Sequence, residues 1–229
     1  MGWAYPRSDA DQGGVVHAGG GWYDRPVGLL RTELQNILSF MPTSINHLYP
    51  LAEGQGGYFT TSQAHEVGVS DQQLHYLAKA GSLQRATHGI YRLQRFPAQA
   101  FEDVIVATLW AGEGAAASHE TALAIYGITD AMPALLHVTV PRRFRGKRQG
   151  TVLHMAPLEE PERTRRDGVP VTTLSRTLRD VAVRHGTQEA AEAARQAIER
   201  GLISRRRLSR ELAAHPETRS ILDVLDSSP

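Results

Sequence analysis

The residue types that could carry catalysis are few, and their spacing does not build an active site. Ser118-His119-Glu120 has the letters of a hydrolase triad, but neighbours along a helix point apart, which favours a helix start with surface residues. Gly112-Glu113-Gly114 lacks the Gly-Lys-Ser/Thr ending of a phosphate-binding loop. The 10 histidines include no pair three or four residues apart, so no metal site on one helix is visible. We therefore predict no catalytic residues, metal ligands, cofactor or enzymatic activity.

The cations form the stronger chemical pattern, and binding of phosphate is the chemistry that suits them. The 229 residues carry a net charge of +1, yet residues 141–210 alone hold 17 basic and 8 acidic residues, a net charge of +9. The densest run comprises Arg142, Arg143, Arg145, Lys147 and Arg148, and two smaller groups follow at 163–166 and 205–207. This asymmetry indicates a polyanionic partner, although a solvated arginine-rich surface explains it equally well.

Composition limits the classes to which the protein can belong. The absence of cysteine excludes a disulfide scaffold, a cysteine-ligated zinc finger and a cysteine nucleophile. The longest nearly apolar run, at 104–111, is too short to cross a bilayer, and the N-terminus does not resemble a signal peptide. We expect a cytoplasmic protein without membrane contact.

Two helices with capping-box spacings precede the basic block. Thr60 and Gln63 predict the start of one helix and Gly68 its end, while Ser70 and Gln73 predict the start of a second helix. Strands at 83–86 and 90–93, joined by Thr87-His88-Gly89, predict a β-hairpin. With a leading helix near 45–53, this order predicts a winged helix-turn-helix domain.

The second helix and the hairpin are the expected DNA-binding elements. Gln72 and Gln73 lie where a recognition helix reads base edges, and the hairpin cations lie where a wing meets the backbone or minor groove. Together with the basic run, the predicted DNA-binding residues are Thr61, Ser70, Gln72, Gln73, His75, Tyr76, Lys79, Arg85, His88, Arg92, Arg142, Arg143, Arg145, Lys147 and Arg148. A small helical subdomain that only docks to another protein is the alternative.

The remaining pattern predicts an α+β protein, with the winged helix-turn-helix at the N-terminal side and a mixed α/β domain after it. Strands at 135–140 and 151–155 flank the basic run, which we expect on a hairpin loop. Helices are expected at 103–110, after Ser118, at 174–183, at 188–200 and at 204–214. The predicted divisions are a flexible extension at 1–43, the winged domain at 44–96, the α/β domain at 97–215 and a frayed tail at 216–229. A helical pattern at 27–40 could be an accessory helix, or translation could begin at Met41.

The order of these motifs resembles the AbiEi-type antitoxins, which are transcriptional regulators of type IV toxin–antitoxin systems. In the winged region the resemblance rests on Gly57–Ala64, Gly68-Val69-Ser70, Leu77–Leu83 and Gly89–Arg92. Further along it rests on Ser118–Leu123, Tyr126-Gly127-Ile128, His137–Pro141, Val169–Thr173, Arg176-Thr177-Leu178 and Asp180. These motifs span about 44–212.

The resemblance implies that the N-terminal domain binds DNA and that the C-terminal domain assists promoter binding and antitoxicity. It also implies repression of the protein's own operon, beside a nucleotidyltransferase-like toxin that the antitoxin need not contact. Many similar proteins continue into a restriction-endonuclease-like domain, but no Asp…Glu-x-Lys pattern follows Gly186 here. A nuclease activity is therefore not expected. A module that neutralises a partner directly and an inactive nuclease remnant remain as alternative functions.

Overall fold

The computed structural model of the protein describes residues 45–227, which lie within one compact unit. The expectations for residues 1–43, including the helical pattern at 27–40, lie outside this range. Over residues 45–227, no helix is both long enough and apolar enough to cross a membrane.

The N-terminal part folds as helices followed by a hairpin, in the order that the sequence predicts. Helix α1 covers 45–53, β1 Tyr58–Thr60, α2 Thr61–Glu66, α3 Asp71–Lys79, β2 Leu83–Thr87 and β3 Ile90–Leu93. Strand β3 lies between β1 and β2 in a three-stranded antiparallel sheet. Leu48, Phe59, Leu74 and Leu77 form much of the core between helices and sheet. Strand β1 escapes sequence analysis because three residues are too few for an alternating pattern.

A five-stranded mixed sheet organises the rest of the described chain. Its elements are α4 Glu102–Ala111, β4 Ala116–Ala117, α5 His119–Ile125, β5 Leu136–Val140, β6 Thr151–Met155, β7 Arg163–Arg166, β8 Val169–Thr172, α6 Leu174–His185, α7 Thr187–Glu199, α8 Arg205–Ala213 and α9 Arg219–Ser227. The strand order is β6-β5-β4-β8-β7. The protein is thus α+β, with the winged helix-turn-helix order preceding a mixed α/β region, as predicted.

The predicted hairpin around the basic run is wrong, because β5 and β6 are parallel. Leu136 pairs with Thr151 and Val140 with Met155, so the chain must return along the whole length of β5 before β6 begins. Parallel strands require such a crossover, whereas a hairpin requires antiparallel neighbours. Residues 141–150 therefore form a crossover segment, which we call the basic crossover.

The segment expected to fray is also different in the structure. Helix α9 buries Ile221 and Leu225 in the main core, where the helix packs against α7. The four-residue spacing of these two side chains places both on one face of α9, and that face is the apolar stripe that docks. The C-terminal residues up to 227 therefore contribute to the core.

Helix capping follows the sequence only in part. The Ser204 hydroxyl accepts a hydrogen bond from the Arg207 N–H at 3.3 Å and caps α8, which begins within the helix predicted at 204–214. Ser118 precedes α5 without capping it, because its hydroxyl instead accepts a bond from the Thr139 hydroxyl at 2.8 Å. Thr173 likewise makes no side-chain cap for α6. Tertiary partners outcompete the local cap at Ser118.

Candidate nucleic-acid interface

Helix α3 presents one polar face to solvent because its opposite face is fixed in the core. Leu74 and Leu77 are buried. The exposed residues Gln72, His75, Tyr76 and Lys79 are spaced by three, four and seven positions from the first. Side chains at these spacings lie on one side of a helix. The face therefore carries an amide, an imidazole, a phenol and an ammonium group, all of which can meet a polar surface.

Gln72 and Gln73 are both predicted to contact DNA, but they have different roles in the first turn of α3. The Gln73 side-chain oxygen accepts a hydrogen bond from the Ser70 N–H at 2.8 Å, while the Ser70 hydroxyl accepts one from the Gln73 N–H at 3.4 Å. This reciprocal capping box holds Ser70 and Gln73 at the helix start. Gln72 is exposed beside them, so it is the glutamine placed to reach a partner.

The turn of the hairpin is fixed to α2 by Thr61. Both the backbone N–H and the hydroxyl of Thr61 donate to the Gly89 carbonyl oxygen, at 2.9 and 3.3 Å. Gly89 has a φ of +72°, a left-handed conformation that glycine adopts without the penalty of a Cβ. Thr61, a predicted DNA contact, is therefore placed to orient the hairpin.

The hairpin divides its predicted contacts between solvent and the protein interior. Arg85 and His88 are exposed at the tip, with Arg85 Nη2 at 3.0 Å from His88 Nδ1. Arg92 faces inward: its guanidinium lies 3.3 Å from Glu102, and only 12% of its side chain is exposed. The structure thus brings Arg85 and His88 together at the surface, whereas Arg92 is largely buried.

Arg92 belongs to a polar junction between the hairpin and α4. It donates to the Phe96 carbonyl at 2.9 Å and lies 5.7 Å from the centre of the Tyr58 ring. Burial, with a further contribution from Glu102, raises the pKa of Tyr58 to about 12. A hydrogen bond from the Gln99 N–H and the Arg92 charge outweigh burial and hold the pKa of Glu102 below its usual value. The hairpin is therefore joined to α4 by the ion pair of Arg92 and Glu102, beside the neutral phenol of Tyr58.

The middle of the basic crossover packs against α4, while most of its cationic side chains are exposed to solvent. The Phe144 ring packs edge-on against Trp110 of α4, with 4.9 Å between ring centres. A side chain at Gly146 would collide with both rings, so glycine permits this close approach. The surrounding cations Arg142, Arg143, Arg145 and Lys147 are exposed, and Arg148 is half-buried. Arg142 lies 4.0 Å from the exposed Glu113, the limit of an ion pair. The contact between Phe144 and Trp110 therefore fixes the segment in a position that leaves the neighbouring cations exposed.

The other cation groups are largely used within the protein. Arg165 donates to the Gly54 carbonyl at 3.0 Å, and Arg166 lies 5.3 Å from the centre of the Tyr126 ring. Arg205 pairs with Asp226, and Arg207 pairs with Glu211 at 2.7 Å. These partners account for much of the positive charge after residue 160.

Arg176 and Asp180 form a buried pair, not the helix surface pair that their spacing suggests. Arg176 bonds Asp180 at 2.9 Å and Glu162 at 2.7 Å, and only 7% of its side chain is exposed. Glu162 also pairs with Arg179. Burial raises the pKa of Asp180, against the pull of Arg176. Burial would raise the pKa of Glu162 as well, but the Glu159 N–H and the two arginines outweigh it and lower that pKa.

A cluster of three histidines has no counterpart in the sequence patterns. His119, His137 and His154 come from α5, β5 and β6, and each offers a ring nitrogen within 4.8 Å of the others. Spacings of 18 and 17 residues carry no metal-ligand signature, which is why sequence analysis misses the cluster. The signal available was the position of each histidine in a predicted strand or helix start.

The comparisons with known proteins agree with the N-terminal architecture. Residues 47–94 match the sequence model of the family described as "Transcriptional regulator, AbiEi antitoxin". This segment runs from α1 to the end of the hairpin, and over it the resemblance predicted from the sequence is confirmed. A search of curated proteins finds no match.

Among solved structures, one similar chain is the crystal structure of the RV2827C protein from Mycobacterium tuberculosis. The two chains share 15% identity over 81% of each, with a TM-score of 0.39.

Proposed function

We propose that this protein is a DNA-binding transcriptional regulator that represses its own operon as an AbiEi-type antitoxin. The regulator and antitoxin role at the coarser level follows from the family match at 47–94. The observation that carries the finer proposal is the solvent face of α3, on which Gln72, His75, Tyr76 and Lys79 follow one another along one side of a capped helix.

In this proposal α3 enters the major groove as the recognition helix. The amide of Gln72 is suited to pair with the N6 and N7 edge of adenine, and Lys79 and His75 are suited to phosphates. Gln73 and Ser70 contribute by fixing the first turn, and a helix N-terminus favours an adjacent phosphate. Sequence preference thus rests mainly on Gln72 and Tyr76.

The hairpin and the basic crossover supply contacts that do not depend on sequence. Arg85 and His88 at the hairpin tip would contact the backbone or the minor groove. The exposed cations Arg142, Arg143, Arg145 and Lys147 would neutralise further phosphates, because phosphate contacts provide much of the affinity of DNA-binding proteins. We assign base reading to residues 44–96 and much of the electrostatic affinity to 97–215.

The proposed biological partner is a nucleotidyltransferase-like toxin encoded in the same operon. The resemblance to AbiEi-type antitoxins implies control of toxin production without a required contact between the two proteins. Co-expression of both genes, followed by nuclease treatment and purification, separates the two possibilities. A complex that survives the nuclease would replace repression with direct neutralisation as the main activity.

Fluorescence anisotropy with the duplex upstream of the gene tests the proposal. We expect tighter binding to this duplex than to a scrambled duplex of equal length and composition. If some six phosphates are contacted, log affinity should fall against log salt with a slope of about −5. Equal affinity for the two duplexes at every salt concentration would contradict sequence-specific regulation.

A further inference from the structure

We propose that His119, His137 and His154 bind one divalent transition-metal ion of the zinc class. The three rings offer nitrogens that all lie within 4.8 Å of one another. Imidazole is a preferred ligand of Zn²⁺, Co²⁺, Ni²⁺ and Cu²⁺, and three histidines with one further position form a known zinc geometry. The inference concerns the C-terminal region and does not depend on the proposed DNA binding.

The fold brings the three side chains to one place from separate elements. His154 lies opposite Thr139 in the register of the parallel strands, and His137 is two residues before Thr139, so both histidines lie on the same face of the sheet. His119 is the first residue of α5 and stacks on His154, with 3.8 Å between ring centres. His137 Nδ1 lies 2.9 Å from His154 Nε2. These contacts hold the three rings together.

The backbone at His119 is in an uncommon conformation for a residue with a Cβ. Its φ is +51°, in the left-handed region that residues with a Cβ avoid. Strained residues of this kind concentrate at functional sites, because the surrounding structure must hold them there. In this protein the strained backbone directs a buried ring toward two other imidazoles.

The environment keeps the rings neutral, the form in which imidazole offers a lone pair to a metal. His119 and His137 are 7% and 4% exposed, and His154 is partly exposed. Burial, followed by the neighbouring His154, lowers the pKa of His119 to about 3. Burial, followed by His137, lowers the pKa of His154 to about 4.

A buried carboxylate oxygen beside the cluster lacks a hydrogen-bond partner among the described residues. Oε2 of Glu120 lies 3.4 Å from His137 Nδ1 without meeting hydrogen-bond geometry. The other oxygen of Glu120 pairs with Arg184 at 3.0 Å and with His185. Histidines that bind metals usually have such a carboxylate behind them, which orients the ring. Because Glu120 faces Nδ1 of His137, it would act as this positioning residue when Nε2, the other ring nitrogen, binds the metal.

The spacing of the ligand atoms requires only a local adjustment. Nitrogens bound at about 2.0–2.1 Å around a tetrahedral ion are separated by roughly 3.3 Å, so nitrogens that lie within 4.8 Å need approach by no more than roughly 1.5 Å. His154, the least buried ring, lies on edge strand β6 and is the ring best placed to move. Binding would tie α5 to β5 and β6, the two strands that the basic crossover connects.

Metal titration of protein prepared without a histidine tag and freed of metal by a chelator tests the site. We expect one Zn²⁺ per chain by calorimetry, a rise in Tm with Zn²⁺, and a visible Co²⁺ spectrum of low-symmetry nitrogen coordination. His154→Ala removes the least buried ligand and should weaken Zn²⁺ affinity by more than about 100-fold, since removing even supporting groups typically costs about 10–100-fold. His47→Ala, which removes an exposed histidine from α1, is the matched control and should bind like the wild type.

The wild-type protein alone can overturn the proposal, so the test does not depend on a variant that folds. Absence of stoichiometric Zn²⁺ and Co²⁺ binding would show that the rings form only a stacked, hydrogen-bonded cluster. Equal binding by His154→Ala and the wild type, with folding verified by circular dichroism, would also contradict the site. Glu120→Gln should retain one ion with weakened affinity, because it removes a supporting charge and not a ligand.

Discussion

The basic crossover and the arginines around Glu162 are both rich in cations, but the protein uses them differently. Arg142, Arg143 and Arg145 are exposed around a single aromatic anchor. Arg176 and Arg179 are turned inward onto Glu162. The comparison shows that charge density along a sequence does not distinguish cations that hold the fold together from cations available to a polyanion. The position of acidic partners in the tertiary structure makes that distinction.

The same distinction separates the two arginines of the hairpin. Arg85 is at the exposed tip, whereas Arg92 pairs with Glu102, ten residues later in the sequence. Residues 85 and 92 lie on opposite faces of the β2–β3 ladder. Only the face that carries Arg92 packs towards α4. Only one of these two arginines is therefore exposed to solvent.

The largest expected effect is the loss of stability when the buried network is broken. Arg176→Met leaves Asp180 and Glu162 without their shared partner in a buried site, and breaking such a pair typically costs about 3–5 kcal/mol. Urea unfolding followed by circular dichroism measures the change. Arg143→Met in the basic crossover is the matched control and should change the free energy of unfolding by less than about 0.5 kcal/mol. Similar losses in both variants would contradict the comparison.

The next largest effect concerns DNA affinity and is expected from the basic crossover. Neutralising Arg142, Arg143 and Arg145 to Gln should weaken binding to all sequences and reduce the salt slope by roughly 2–3, about 0.9 for each lost phosphate contact. Anisotropy titrations at several salt concentrations measure the slope. The matched control neutralises Arg205, Arg206 and Arg207, of which the first and last have acidic partners. A larger loss in the control would transfer the DNA-binding surface to α8.

A smaller and more selective effect is expected on α3. Gln72→Ala should reduce discrimination at one base pair by about 1–3 kcal/mol, because the exposed amide is lost from the face that meets the groove. Competition titrations with single-base variants of the upstream duplex measure it. Gln73→Ala should instead lower stability by about 0.5–1.5 kcal/mol, because it removes the hydrogen bond from the Ser70 N–H, and should leave the order of base preferences unchanged. The reverse result would assign base reading to Gln73.

The smallest expected effect is the pH dependence of the network. Because the folded protein holds the pKa of Glu162 below its usual value of 4.5, the ionised carboxylate contributes stability above that pH. This contribution is lost as the pH falls through the lowered pKa. The stability difference between wild type and Glu162→Gln should therefore be present at pH 7 and shrink below about pH 4.5. A difference that stays constant down to pH 3 would show that Glu162 acts by shape and not by charge.

Local patterns predicted much of the N-terminal region. Both capping boxes form where the spacing of Thr60, Gln63, Ser70 and Gln73 indicates, and the hairpin forms around Thr87-His88-Gly89 as predicted, since such contacts lie within a few residues of one another. The same reasoning identified the exposed positions of α3, because Leu74 and Leu77 fix the buried face.

Sequence patterns did not predict the features of the sheet that depend on which strands pair and in which direction. The residues of β5 and β6 are strand-like in either orientation, so the sequence does not distinguish a hairpin from the parallel pair that forms. The two-residue β4 joins β5 to β8 without a periodic signal of its own. Helix α9 is short and follows proline, and its docking onto α7 is what makes it part of the core.

By itself, the sequence determined the helices, hairpin and caps of the winged region and the clustering of charge, because each depends on neighbouring residues. Only the tertiary structure decided which arginines are exposed and that His119, His137 and His154 meet. Those facts depend on strand register and on contacts between residues far apart in the chain. Local free energies select the elements, whereas the burial of polar groups requires partners that only the assembled fold brings within hydrogen-bonding distance.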